Sequence, residues 1–234
     1  MGDNEGLVHF RVVRFIYEAG MKLRMKTIPL STTCVLYHRF FRENKLDDFD
    51  PYLIAATCLY LAGKVEEEQH ISLRDVVNVT YRTLNRDKPP LEMGEKYWQY
   101  RDSVVNCELF LLRSLQFKSV VYHPHKFLLH YLKYLEDWFD PVTWSTFPLT
   151  RTCWGILRDT YHSPLALRYK PQHIAIAVLY FSILCHGLEV PHNRTADRPW
   201  WKVFKEDITL NEIKDIINEI IFTFDMEAML QTTG

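Results

Sequence analysis

Two isolated charges on apolar helical segments are the side chains of this sequence best placed to bind another molecule. Lys64, in the segment A-G-K-V-E-E-E at 62–68, follows thirteen residues without a charged side chain. Glu108 stands in the otherwise apolar run S-V-V-N-C-E-L-F-L-L. A charge set in an apolar helix face either pairs with another charge or faces a partner, because an unpaired buried charge is costly. Two interpretations follow: an internal Lys64–Glu108 bridge that orders the core, and a binding site for a partner protein.

Patterns typical of enzymes are missing from the sequence. No two of the eight glycines have G-x-G spacing, and Gly63-Lys64 is followed by Val65 where a phosphate-binding loop needs Ser or Thr. There is no G-x-S-x-G, H-E-x-x-H or C-x-x-C. We therefore expect neither an enzyme nor a bound cofactor.

Two further clusters allow more than one interpretation. The densest histidine cluster, His123-Pro124-His125, is expected to begin a helix rather than to bind a metal, because no third or fourth ligand lies nearby. Trp200-Trp201 either packs into the core, the interpretation that we favour, or forms an exposed contact.

Composition narrows the class of protein. The 234 residues contain 28 Lys and Arg against 29 Asp and Glu, and 47% are hydrophobic. A net charge of -1 argues against a general nucleic-acid binder, which would carry a basic excess. The longest apolar run, 174–181, is far shorter than the roughly 20 residues that span a bilayer.

Cysteine usage and the N-terminal residues predict an intracellular location. The five cysteines are odd in number and far apart, mostly within apolar segments, as expected of reduced core thiols. The first residues show no secretion-signal pattern. We therefore expect a nuclear or cytoplasmic protein with no evident targeting signal and no membrane partner.

Apolar residues recur at helical spacing along nearly the whole chain, and strand alternation is nowhere convincing. The eleven prolines fall mostly at segment edges, where proline is tolerated or ends a helix. The spacing predicts an all-α fold with helices near 8–26, 31–43, 51–67, 71–85, 95–116, 125–139, 146–162, 171–187 and 209–228.

An offset of 120 residues relates two of these helices. Aligning 51–60 (PYLIAATCLY) with 171–180 (PQHIAIAVLY) gives five identities, which include Pro51 with Pro171. In the preceding helices the same offset places Thr32 on Thr152. The agreement of two helices at one offset predicts a duplicated all-α unit of about 110 residues. The join is expected near 117–122.

Several of these segments together resemble the cyclins, over about 7–226. They are A-G-K-V-E-E at 62–67, Glu108 with the L-x-x-L-x-F pattern at 112–117, Y-H-R-F-F at 37–41 and H-P-H-K-F-L-L at 123–129. The last two resemble the transcription-type branch of that family. The resemblance implies a cyclin fold of two tandem five-helix cyclin boxes, at 7–117 and 123–230.

The resemblance also implies a function. Cyclins are non-catalytic subunits that activate serine/threonine kinases, and the resemblance implies that this chain forms a heterodimer with cyclin-dependent kinase 10. By position, Lys64 and Glu108 would bind the backbone of the kinase segment that precedes its C helix. The residues that would form or support the apolar pocket for that helix are Leu53, Leu61, Val65, Leu112 and Phe117.

One departure from the cyclin pattern, in the first helix, limits what else the resemblance implies. The first helix carries V-H-F-R-V at 8–12, where cell-cycle cyclins have the M-R-A-I-L of their R-x-L docking groove.

An alternative class is a factor-B-type general transcription factor, which also has two cyclin-like repeats and binds DNA. That class requires a basic second repeat and a zinc ribbon. Residues 119–234 instead contain 11 basic and 13 acidic side chains, and C-x-x-C is missing.

Overall fold

The computed structural model describes residues 3–191 and 197–232, and regular structure within these ranges is entirely helical. Two 3-10 turns, Leu46–Asp48 and Thr160–His162, accompany the α-helices. The α-helices of the described ranges are α1 (Asp3–Lys22), α2 (Thr27–Glu43), α3 (Pro51–Val65), α4 (Leu73–Leu84), α5 (Glu95–Ser114), α6 (His125–Glu136), α7 (Pro141–Thr146), α8 (Leu149–Asp159), α9 (Leu165–Arg168), α10 (Pro171–Cys185), α11 (Trp201–Phe204) and α12 (Leu210–Thr232). No helix in the described ranges is both long enough and apolar enough to cross a membrane.

The chain divides into two compact units, Met1–Val121 and Tyr122–Gly234. Each unit has one apolar helix at its centre. In the first unit α3 packs against α1, α2, α4 and α5, and nine of its fifteen residues are buried. In the second unit α10 packs against α6, α8 and α12, and nine of its fifteen residues are buried as well. A helix that is apolar on all sides is stable only when neighbours surround it, so these two helices organise their units.

The structure confirms the all-α fold, and every predicted helix has a counterpart. The largest difference lies at the predicted helix 146–162, which is observed as the end of α7, then α8, then a 3-10 turn. Pro148 causes the break, because the residue before a proline is forced out of helical geometry. Phe147 accordingly has extended angles, φ -105° and ψ 132°. The short helices α7, α9 and α11 were not predicted, since four to six residues carry too little periodicity.

The two central helices end in the same backbone motif. After α3, the Glu68 N–H donates to the Gly63 carbonyl at 2.8 Å and the Glu67 N–H to the Lys64 carbonyl at 3.3 Å. Glu67 has a left-handed φ of 56°. This double hydrogen bond satisfies carbonyls that the end of a helix otherwise leaves without a donor.

After α10 the pattern repeats 120 residues further along. The Leu188 N–H donates to the Ile183 carbonyl at 3.1 Å and the Gly187 N–H to the Leu184 carbonyl at 3.0 Å, with φ 61° at Gly187. The left-handed position is thus Glu67 in the first unit and Gly187 in the second. Glycine adopts this conformation without the steric cost that a side chain imposes.

The His123-Pro124-His125 segment begins a helix. Helix α6 starts at His125, and His123 Nδ1 lies 2.8 Å from the Tyr161 hydroxyl. Burial lowers the pKa of His125 to about 4, so its imidazole is neutral at physiological pH. No group of three or more His, Cys, Asp or Glu side chains within the described ranges is arranged to hold a metal ion.

The cysteines and the paired tryptophans have clear positions in the units. Cys34, Cys58 and Cys153 are buried, as expected, whereas the expectation is wrong for Cys185, which is exposed because it ends α10 where that helix reaches solvent. Trp200 and Trp201 are half-buried and pack against the core of the second unit, with Trp200 stacked on Tyr180 at 5.9 Å between ring centroids. Packing is therefore the interpretation that the structure favours for these tryptophans.

The left-handed position after α10 yields a stability prediction. We expect Gly187→Ala to lower the free energy of unfolding by about 1 kcal/mol, because a Cβ disfavours this backbone conformation. The added Cβ would meet no atom within 4 Å, so steric contact does not contribute. Gly155→Ala, inside α8 and equally open, is the matched control and should raise the free energy of unfolding by about 0.5–1 kcal/mol. Urea denaturation measures both, and a shift of both variants in one direction would contradict this account.

Candidate functional site

The two charges singled out by the sequence form an ion pair between neighbouring helices. Lys64 lies in the last turn of α3 and Glu108 lies on α5, which packs against α3. Lys64 Nζ is 2.5 Å from Glu108 Oε1. The Glu108 side chain is only 13% exposed, whereas the Lys64 side chain is 51% exposed. The carboxylate is therefore held at the junction of the helices and the ammonium faces solvent.

The end of α3 places the ammonium. Tyr60, one turn earlier, lies beneath Lys64 Nζ, 4.8 Å from its ring centroid, in a cation–π contact. A cation in the last turn of a helix is also favoured by the partial negative charge of the terminal carbonyls. Lys64 is thus held from three sides, by Glu108, by Tyr60 and by the carbonyl end of its own helix.

The three glutamates that follow Lys64 hold the end of α3. Glu66 Oε1 accepts a hydrogen bond from the Thr32 hydroxyl of α2 at 2.7 Å. Glu67 occupies the left-handed turn. The Glu68 side chain is buried, and its Oε1 lies 3.2 Å from Lys26 Nζ. The Glu66 and Glu68 carboxylates therefore anchor the segment that directly follows Lys64. The run of acidic residues in the sequence did not predict these contacts.

Helix α5 has an apolar stripe on its solvent side. Only Tyr97, Val104 and Leu111 of its twenty residues are buried. Val105 and Leu109 are 40% and 49% exposed and lie three residues before and one residue after Glu108. The spacing i, i+3, i+4 puts all three on one helix face. An exposed apolar stripe around a fixed charge is typical of a surface that binds another protein.

The remaining predicted residues are distributed between core and surface. Leu61 is buried, so it can only support a pocket from beneath. Leu53 is half-buried and packs against a small cluster of Val77, Tyr97 and Val104. Val65 and Leu112 are half-buried. Phe117 is 64% exposed, at a left-handed φ of 58° just after α5.

The structure therefore brings Lys64 and Glu108 together at the α3–α5 junction. Val65 directly follows Lys64, Leu112 lies one turn after Glu108 on α5, and Leu61 is buried. Val105 and Leu109 join them and were missed by the sequence analysis. Their signal was present, because both have helical spacing from Glu108, but an apolar residue on a helix is more often part of the core.

The chemistry of this surface is that of binding. The ammonium has three N–H donors and the carboxylate two acceptor oxygens, and their mutual bond leaves further donors and acceptors unoccupied. Backbone carbonyl and amide groups of another chain can bind to them. The surrounding apolar side chains would exclude water and strengthen such hydrogen bonds.

Comparison with known proteins identifies relatives. Residues 9–119 match the model of the cyclin N-terminal domain. Cyclin-L1-1 of Oryza sativa subsp. japonica is 32% identical over 82% of this chain and 43% of its own length. Cyclin-K of Homo sapiens is 30% identical over 89% and 35%, and cyclin pch1 of Schizosaccharomyces pombe is 28% identical over 93% and 61%. The chain thus spans less than two thirds of each of these relatives.

Solved structures share the fold. A chain in the yeast RNA Pol II CTD kinase CTDK-1 complex superposes with a TM-score of 0.74 at 22% identity, covering 95% of this chain and 68% of that chain. A chain in the yeast TFIIK (Kin28/Ccl1/Tfb3) complex gives a TM-score of 0.63 at 21% identity, covering 94% and 86%.

The ion pair yields a prediction that separates an ordering role from a binding role. Lys64→Ala, Glu108→Ala and the double variant form a double-mutant cycle in the chain without a partner. Because Lys64 is exposed, we expect a coupling energy of about 0–1 kcal/mol by urea denaturation. A coupling energy above about 2 kcal/mol would show that the pair holds the fold together and would support the ordering role instead.

Proposed function

The chain belongs to the cyclin family, in its transcription-type branch, and we propose that it binds and activates a cyclin-dependent serine/threonine kinase through the α3–α5 surface. A cyclin is a regulatory subunit rather than an enzyme, so catalysis belongs to the partner. The motifs resemble those of cyclin Q, also called cyclin M, and this resemblance favours cyclin-dependent kinase 10 as the partner in a heterodimer. The transcription-type relatives favour a location in the nucleus.

One observation carries the proposal: Lys64 and Glu108 form a fixed, oriented ion pair within an exposed apolar stripe. A pair serving only the core would be covered by its own chain. Here the apolar side chains on the solvent side of α5, Val105 and Leu109 among them, have no covering element in the described part of the first unit. A partner helix lying on this stripe would bury them.

The Lys64–Glu108 ion pair would fix the position of that partner helix along α3 and α5. Lys64 can donate to backbone carbonyls of the kinase segment before its C helix, and Glu108 can accept backbone N–H groups. Each charge keeps its present partner while doing so. The bound segment is therefore held in one position along α3 and α5.

Holding the C helix of a kinase inward activates the enzyme. In that position a glutamate of the C helix pairs with the lysine that orients the ATP phosphates, which phosphoryl transfer requires. The cyclin shifts the kinase population only by binding the active arrangement more tightly than the inactive one. Leu53, Leu61, Val65, Leu112 and Phe117 contribute by forming or supporting the apolar contact.

A DNA-bound general transcription factor is not favoured. The second unit has a small acidic excess in 119–234, and duplex binding depends on many basic side chains that neutralise phosphates.

Co-purification with cyclin-dependent kinase 10 tests the proposal. Lys64→Ala/Glu108→Ala should weaken kinase binding at least about tenfold and reduce phosphorylation of a peptide substrate accordingly, because hydrogen bonds to charged groups are lost. Leu109→Asp should have a similar effect by placing a charge in the apolar stripe. Because Leu109 is 49% exposed, we expect this variant to keep the fold of the chain.

Lys45→Ala/Glu43→Ala is the matched control. Both side chains are exposed and precede the start of α3. The first residue of α3, Pro51, lies about 20 Å along the helix axis from Lys64. The control should bind and activate like the unchanged protein. Undiminished binding and activity in both test variants would refute the α3–α5 surface as the interface.

A further inference from the structure

A charged groove lies between α1 and α4, which are not the helices of the proposed kinase-binding surface. Its volume is about 470 Å³ and it opens to solvent. The lining residues are Glu18, Lys22, Asn78, Val79, Arg82 and Arg86. Three cations therefore face one carboxylate, an excess of two positive charges in a confined space.

The carboxylate is already neutralised by two of the cations. Lys22 Nζ is 2.7 Å from Glu18 Oε1, and Arg86 Nη2 is 2.5 Å from Glu18 Oε2. The hydrogen bond from Lys22 is the main cause that lowers the pKa of Glu18, so this carboxylate remains ionised at neutral pH. Lys22 also donates to the Thr83 hydroxyl at 3.1 Å, which ties its ammonium to the rim of the groove. Glu18 thus holds Lys22 and Arg86 in place.

Two polar side chains of the groove have no partner of their own. Arg82 makes no ion pair or hydrogen bond with any residue of the described ranges, and the half-buried Asn78 amide makes none either. They lie four residues apart on α4 and therefore on one helix face. The Asn78 amide and the Arg82 guanidinium therefore keep N–H donors that no group of the chain occupies. The positive charge of Arg82 is also not neutralised by a carboxylate of the groove.

We propose that this groove binds a peptide segment carrying a phosphorylated serine or threonine. A phosphate monoester carries a charge of about -1.5 to -2 at pH 7, which matches the excess of two positive charges. Its three terminal oxygens can accept bonds from the Arg82 and Arg86 guanidinium groups, which suit planar, bidentate recognition of phosphate. Asn78 then donates to a phosphate or backbone oxygen of the peptide, and Val79 provides an apolar contact for a neighbouring side chain.

The size and charge of the groove favour a peptide over a nucleic acid. Nucleic-acid binding requires a row of basic side chains along many phosphates, whereas this excess is confined to three residues in a chain of net charge -1. A volume of about 470 Å³ exceeds the needs of a phosphate group alone and leaves room for adjacent peptide atoms.

The test uses the purified chain and a random heptapeptide library with phosphoserine fixed at its centre. The tightest binder is resynthesised with phosphoserine, serine or glutamate at the centre, and fluorescence anisotropy gives the Kd of each. We expect the phosphoserine form to bind at least about tenfold more tightly than the serine form. Arg82→Gln should weaken binding about tenfold, and thermal unfolding checks that this exposed substitution leaves the fold intact.

Arg74→Gln is the matched control, because Arg74 is an exposed arginine on the same helix that does not line the groove. It should bind like the unchanged chain. Equal affinity for the serine form, or unchanged affinity in Arg82→Gln, would overturn the proposal. So would equal affinity for the glutamate form, or tighter binding of a twelve-nucleotide RNA that depends on Arg82. Kinase binding is not needed for this experiment. A failure of the phosphopeptide proposal would therefore not affect the proposal of kinase binding through α3–α5, and the reverse also holds.

Discussion

The burial of α3 is the constraint on which the first unit depends. The helix is apolar on nearly every side, and four other helices surround it. Such a helix must nevertheless end, and its final carbonyls need donors or cations. In this chain α3 ends at Val65, so Lys64 lies in its last turn, where the core meets solvent. The side chains at this end also form the surface that we propose for kinase binding.

The second unit has the same helical architecture but lacks Lys64 and Leu53, a charged and an apolar residue of the α3–α5 surface, at the corresponding positions. The residue 120 positions after Lys64 is Leu184, which is 58% exposed and carries no charge. The position of Leu53 is taken by His173, which is buried between Glu212 and Asp207 at 2.6 and 3.2 Å. The second unit has the same central helix and the same terminal hydrogen bonds. Its charged side chains near α10, Glu212 and Asp207, instead contact His173 within the unit. We therefore expect α10 to serve the structure of its own unit rather than the kinase.

Much of this organisation could be predicted from the sequence because it depends on periodicity. The central helices, the proline at the start of each and the charges Lys64 and Glu108 all stand out as local patterns. The ion pair itself could only be posed as one of two alternatives, since spacing along the chain does not reveal that α3 and α5 are neighbours. The exposure of Val105 and Leu109 was missed because a helical apolar stripe is the ordinary signal of burial.

The roles of Glu66 and Glu68 were also beyond prediction from sequence. Both belong to a run of like charges, which usually marks a solvated face. Only the tertiary structure brings Glu66 to Thr32 and Glu68 to Lys26. The charged groove between α1 and α4 could not be predicted from the sequence either, because Glu18 and Arg86 are 68 residues apart along the chain.

Hydrogen–deuterium exchange of the chain with and without cyclin-dependent kinase 10 would locate the surface that the kinase covers. Exchange slows where a partner covers a surface or restrains local opening. We expect slower exchange in 60–68, at the end of α3, and in 105–117, along the second half of α5 and the turn after it, with little change across α10. Protection confined to the second unit, with 60–68 and 105–117 unchanged on kinase binding, would contradict this expectation.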